Sequence, residues 1–245
     1  GGGAETALFL WGAMGPDAAG AGGSLDARAV SRETLERFWQ LASVEPEQRE
    51  AAAAGLVRDL TQAQESFEAG GGGGGGAAAA GPFAGLAPLV AYALKRLARG
   101  LGSGRAGARQ GFALALAAVL GSVPLGPGGM EARRGLAVLT ASLEPVTGAT
   151  KGQEARDLVM GRLFGVAAVG RALAMRAGGG AVPSQDASRL AQELATLASK
   201  RPFLRECAAG AVLDLLGPYG GEGAAAVLRG APALAQWLEA GEDPE

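Results

Sequence analysis

The sequence predicts an all-α protein of antiparallel helix pairs stacked as an α-solenoid. Three observations point there. Apolar residues recur three and four positions apart in segment after segment, which is the spacing of one buried helix face. No segment alternates with period two for long enough to read as a strand. The segments are separated by short breaks rich in Gly, Pro and Ser, so consecutive helices fold back on one another and none buries its apolar face alone.

The elements follow in order. Residues 33–42, ETLERFWQLA, and 46–67 read as the first helical pair, joined by a break at 43–46 in which Pro46 takes a favoured first helical position. In the second of these, Ala53, Leu56, Leu60 and Ala63 form the buried stripe. Uninterrupted glycine at 70–76, followed by AAAAG, marks a low-complexity insert. A helix is expected from Pro82, with Leu86, Val90, Leu94, Leu97 and Leu101 on one face. A glycine-rich turn at 100–104 leads to a helix whose core side carries Phe112, Leu116, Val119 and Leu120, and SVPLGPGG ends it. Further helices are expected at 130–142, 154–176, 186–199, 202–216 and 222–240, the last broken near Gly230 and Pro232. Glu154 and Asp157 at the start of one, with Arg171 and Arg176 near its end, suit the helix dipole. Amphipathic pairs of this kind are what a HEAT- or armadillo-like solenoid requires. The repeat is degenerate, and a closed helical bundle is the structural alternative. The expected division is a flexible Gly/Ala-rich amino terminus over 1–30 and a helical-repeat domain over 31–245, with a disordered Gly-rich insert at 69–81.

Composition narrows the chemistry. The chain has 245 residues and no histidine, which removes Ser-His-Asp and Cys-His nucleophilic catalysis and His-bearing zinc sites. Its single cysteine, Cys207, precludes an intramolecular disulfide and suits a reducing compartment. The setting LRECAAG reads as a buried helix face with Cys207 as a small core residue. The charge-free run 111–130 is interrupted by Pro124 and Pro127, so it does not make a continuous spanning helix, and a soluble protein is expected. The start, GGGAETALFLW, has neither initiator Met nor the basic region of a secretory signal, and reads as the cut edge of a longer chain.

Charge is local. Residues 1–80 hold five basic against eleven acidic residues, whereas 81–134 hold seven basic and one acidic. Lys95, Arg96 and Arg99 fall within about a hundred degrees of helix circumference. Such a face can meet phosphate backbones or an acidic protein, or it can be a solvated face opposite the acidic first helices. Arg105 and Arg109 share helix spacing with Phe112 and Leu116, so their stems can cover core while their heads seek carboxylates, with Glu154 or Asp157 as candidate partners. Arg109 is the stronger structural candidate of the two.

GSGRAG at 102–107 has the spacing of a dinucleotide fingerprint but lacks the preceding strand, and the first acidic residue downstream, Glu131, comes too late. Glu45 and Glu47 flank a proline, Glu242 and Asp243 lie at the end of the chain, and Glu154 with Asp157 reads as a charged first turn. No set of positioned carboxylates for metal-assisted catalysis emerges. No catalytic residue, cofactor or metal is expected.

Three stretches carry a family resemblance: LKRLARGLGSGRAGARQGFALALAAVL from Leu94, GQEARDLVMGRLFG from Gly152, and KRPFLRECAAGAVLDLL from Lys200. Within them, Arg96, Leu97, Gly100, Leu101, Ser103, Arg105, Ala108, Arg109, Gly111 and Phe112 stand in one ordered group. Glu154, Arg156, Asp157, Gly161, Arg162, Leu163, Phe164 and Gly165 stand in another. Together with FWQLASVEPEQREAAAAGLVRDL, which starts at Phe38, they resemble the DNA polymerase V / Myb-binding protein 1A family of nucleolar helical-repeat proteins, over its amino-terminal portion.

The resemblance implies nucleolar residence, support of ribosomal RNA transcription and ribosome biogenesis, and binding to transcription factors or ribosome-assembly proteins. The leading expectation is a non-enzymatic scaffold. Lys95, Arg96, Arg99, Arg105 and Arg109 are its candidate contacts to rDNA, rRNA or an acidic partner. The alternatives are a general cytoplasmic α-solenoid adaptor and, as the family name suggests, a nucleic-acid polymerase. The polyglycine insert and the many alanines are this chain's departures from the family pattern.

Overall fold

The computed structural model describes residues 30–71, 81–125, 129–143 and 152–239. Among them the secondary structure is entirely helical, with no strand. The expected flexible terminus and the centre of the expected glycine-rich insert lie outside the described residues.

Helix α1, Arg32–Gln40, starts where the Ser31 hydroxyl accepts the Thr34 amide at 3.1 Å and satisfies one of the donors a helix start leaves open. Helix α2, Pro46–Ala69, begins on the expected proline and buries Ala52, Ala53, Gly55, Leu56 and Leu60. The next position inward belongs to Gln64, with no exposed surface, rather than to Ala63. Its amide nitrogen donates to the Gly85 carbonyl at 2.9 Å and its oxygen accepts the Ala87 amide at 2.8 Å. This pairing fastens α2 to the turn ahead of the following helix. Replacing Gln64 with leucine keeps the volume and strands both backbone groups, so about 2 kcal/mol of stability should be lost. Thermal melting checks this, with a fall of about 4–8 °C expected for a domain of this size.

Helix α3, Pro88–Gly100, starts six residues later than the sequence suggested from Pro82. The delay has a backbone cause: Gly81 and Gly85 sit at φ +122° and +71°, outside the helical region, and Pro88 then seeds the helix. Leu86 is buried nonetheless, together with Val90, Leu94, Leu97 and Leu101. Helix α4, Ala106–Ser122, buries Phe112, Leu116, Val119 and Leu120 as expected. Then come α5, Ala132–Leu143, α6, Gly152–Arg176, and α7, Ser184–Lys200. A 3-10 turn, Pro202–Leu204, precedes α8, Arg205–Leu216. The final segment is split into α9, Gly221–Arg229, and α10, Pro232–Glu239, at the expected Gly230 and Pro232.

Packing follows the order of the chain. The pairs α1/α2, α3/α4, α5/α6 and α7/α8 are each in contact. In addition, α2 touches α4, α4 touches α6 and α6 touches α8, while α3 touches α5, α5 touches α7 and α7 touches both α9 and α10. One continuous apolar core runs through these contacts. By length and composition α6 is apolar enough to cross a membrane. Here Leu163, Val166, Val169, Ala172 and Leu173 on that helix are buried in the protein's own core.

Cys207 departs from expectation. It is exposed, because α8 turns Ala208, Val212 and Leu215 inward and leaves the residue one step earlier on the outer side.

Candidate functional site

The five candidate basic residues divide by what their side chains touch. Lys95 and Arg99, one helical turn apart on α3, are exposed. The Lys95 ammonium lies 4.8 Å from the centre of the Phe83 ring, and neither residue takes part in an ion pair among the described residues. Arg96 is different. Its guanidinium lies 4.6 Å over the Phe38 ring of α1 and 5.9 Å from the Tyr92 ring, and it donates to the Tyr92 hydroxyl. Phe38 and Tyr92 meet edge to face at 6.3 Å. Arg96 therefore closes the joint between α1 and α3, and its cation is engaged there.

Arg105 and Arg109 hold the turn that follows α3. Arg105 donates to the Ala42 carbonyl at 3.1 Å, tying this turn to the one between α1 and α2. Arg109 donates to the Ser103 carbonyl and faces Asp157 of α6 at 3.7 Å, both side chains being largely buried. Asp157 is one of the two carboxylates the sequence offered it. The expected patch of five thus resolves into an outward pair, Lys95 and Arg99, an exposed but tethered Arg105, and two arginines turned into joints.

Other arginines do similar work: Arg49 and Arg134 were not singled out from the sequence, and Arg176 was singled out only for the helix dipole. Arg49 donates to the Ser43 and Val44 carbonyls at 2.9 and 3.0 Å. Arg134 reaches Pro82 at 3.1 Å, Ala84 at 2.7 Å, Leu125 at 2.7 Å and Gly129 at 3.1 Å, each time at the carbonyl oxygen. Arg176 donates to Leu120 and Val123 at the end of α4, where a helix leaves carbonyls without partners. Burial, and next the nearby Arg176 cation, lower the Arg134 pKa below the usual arginine value, and burial lowers that of Arg176. The signal available in the sequence was an arginine beside a Gly/Pro-rich break, but the target carbonyls lie as far as 56 residues away along the chain.

The residues that carry the family resemblance sit at these joints. Gly161 faces the Leu101 backbone so closely that an added Cβ would lie 2.8 Å from its carbonyl oxygen. A Cβ on Gly165 would stand 2.6 Å from the Leu139 side chain. Arg162 links Glu193 of α7 at 2.9 Å to Thr140 of α5 at 2.7 Å. Close glycine contacts let helices approach, and the arginines tie one helix to the next.

Chemically, the outward pair offers cationic donors that can neutralise anions. Among the described residues no three His, Cys, Asp or Glu side chains gather as metal ligands. A small cleft of about 60 Å³ between α6, α7 and α8 is lined by Val166, Gly170, Leu190, Leu194 and Leu215 and rimmed by Asp214.

Compared with known proteins, residues 92–237 match the family described as DNA polymerase phi, which covers more than half of the chain and begins at Tyr92, inside α3. No curated protein and no solved structure matches the chain.

Proposed function

The chain belongs to the DNA polymerase phi family, and from that membership we propose that it is a non-enzymatic nucleolar scaffold supporting ribosomal RNA gene transcription and ribosome biogenesis. Within the family it takes the Myb-binding protein 1A type of role, holding transcription factors or ribosome-assembly proteins, and rDNA or rRNA, rather than transforming a substrate. The observation that carries the reading is the packing of each helix against the one two places further on, α2 to α4 to α6 to α8 and α3 to α5 to α7. That order is the one an α-solenoid uses, and a solenoid exposes long helix faces suited to macromolecular partners. The contact face is on α3, with Lys95 and Arg99 outward and Arg105 in the turn that follows it.

Reversing Lys95 and Arg99 together to glutamate should weaken binding to duplex rDNA or structured rRNA at least tenfold. It should also flatten the salt dependence by nearly one unit of slope for each phosphate that is no longer neutralised. Melting should fall by only a few degrees, because both side chains are exposed and the reversal removes just the Lys95–Phe83 contact and the favourable Arg99 charge in the last turn of α3. Arg96 stays out of this variant, since reversing it would unpack Phe38 and confuse folding with binding. Undiminished binding by the double variant would remove α3 from the site. Primer extension by the purified chain would overturn the non-enzymatic reading, and diffuse cytoplasmic residence of the tagged protein would favour a general adaptor.

A further inference from the structure

A second cationic surface lies at the turn between α7 and α8. Five residues crowd it: Lys200 ends α7, Arg201 and Phe203 belong to the 3-10 turn and its approach, Arg205 opens α8, and Arg156 reaches in from the first turns of α6. All five residues are exposed. The Arg156 guanidinium carbon lies over the Phe203 ring, 4.4 Å from its centre. None of Arg156, Lys200, Arg201 and Arg205 forms an ion pair among the described residues. Three carboxylates stand within two residues of the cluster in sequence, Glu154, Asp157 and Glu206, against its four cations, and Asp157 is paired with Arg109, so the cluster is net positive.

The arrangement is poorly explained by packing. Leu204, next to Phe203, is buried with no exposed surface and already anchors the turn in the core. Phe203 instead keeps 36% of its surface in solvent, with a cation laid over it. An exposed aromatic ring under a planar guanidinium makes a stack to which another flat group can be added. Three further cations, Lys200, Arg201 and Arg205, lie within three residues of Phe203 along the chain.

We propose that this turn is a binding site for single-stranded nucleic acid, in which a splayed base adds to the Arg156/Phe203 stack and Lys200, Arg201 and Arg205 take the flanking phosphates. Base stacking on aromatic rings and on arginine planes is how unpaired strands are held. A duplex keeps its bases stacked inside and offers this surface only its phosphates. An acidic polypeptide would use the charges and leave the ring without a role. The site uses none of the α3 residues Lys95 and Arg99, so it stands whether or not α3 binds anything.

The test uses the whole chain with fluorescently labelled twelve-nucleotide oligouridine, oligothymidine and a duplex of the same length, followed by anisotropy across salt. The parent should prefer the single strands. Phe203→Ala should weaken them about tenfold, within the range expected for loss of one stacked base. Arg156→Lys keeps the charge and loses the plane, and should weaken single-strand binding without changing the salt slope. The Lys200, Arg201 and Arg205 triple change to glutamate should cut the slope of log affinity against log salt by about 2. Melting curves accompany each variant, and Arg156→Lys preserves a reading if Phe203→Ala disturbs the turn. Preference for uridine assigns the site to RNA, and preference for thymidine assigns it to single-stranded DNA. Duplex binding as tight as single-strand binding, unaffected by Arg156→Lys, would overturn the proposal. So would equal displacement of the strand from parent and Arg156→Lys by polyglutamate, which would mark a charge-only surface for acidic proteins. The Lys95/Arg99 double reversal should leave oligouridine binding at this turn in place, and its loss there would sink the assignment.

Discussion

Arg134→Ala is expected to lower the melting temperature by about 6–12 °C, from a loss of about 3 kcal/mol at the slope expected for a protein of this size. One guanidinium bonds four carbonyls, Pro82 and Ala84 ahead of α3 and Leu125 and Gly129 ahead of α5. These belong to two separate connections, so the side chain fixes where both α3 and α5 begin. A hydrogen bond from a charged donor contributes about 1.5–3 kcal/mol. The four share one cation and one desolvation cost, visible in the lowered Arg134 pKa, so the total falls well short of a sum. Alanine leaves carbonyl oxygens without their donor in a partly buried pocket. Lysine keeps the charge but lacks the five-donor fork, and it should recover less than half of the loss. A melting temperature for Arg134→Ala within about 2 °C of the parent, less than 1 kcal/mol on that scale, would show that the two connections hold their shape without it.

The helices were legible because a buried stripe at helical spacing is a local property. Spacing alone puts Leu86, Val90, Leu94, Leu97 and Leu101 inward, and all are buried. Boundaries were less legible where backbone conformation decided them. Pro82 and Pro88 look alike in the sequence, and only the positive φ of Gly81 and Gly85 makes the second one the start of α3. The basic residues show the same limit. Helical geometry gives the direction in which Arg96 leaves α3 but not that α1 places Phe38 there. The same geometry leaves Lys95 and Arg99 outward. Arg109 was half legible, since its carboxylate partner Asp157 could be nominated from the sequence and its bond to the Ser103 carbonyl could not. Gln64 was hidden for a related reason: a glutamine beside an apolar stripe reads as a boundary, whereas here it joins two backbone groups more than twenty residues away. Cys207 reads from the sequence as facing inward, and a difference of one helical step reverses its exposure.

A second large effect is expected at Gly111. Helix propensity alone favours alanine there by about 1 kcal/mol, since Gly111 lies inside α4. The neighbouring backbone decides otherwise. A Cβ at Gly111 would overlap the Leu41 carbonyl oxygen and press on Arg49 Cδ at 2.9 Å. A flexible side chain could move aside, but Leu41 belongs to the turn between α1 and α2. Arg49 holds the Ser43 and Val44 carbonyls of that turn, and Arg105 holds Ala42. Relieving the overlap means pushing α4 away from this turn and loosening those bonds together. Gly111→Ala should therefore be destabilising by about 3 kcal/mol, at the upper end of the usual overpacking cost. Gly210→Ala is the matched control: it lies in α8, where an added Cβ meets nothing within 4 Å, and it should raise stability by about 0.5–1 kcal/mol. Opposite signs from the same substitution would separate close helix approach from helix propensity. If Gly111→Ala instead matched the gain at Gly210, α4 would not depend on close approach to the α1/α2 turn, and Arg105 could not be counted as a fastening between the two.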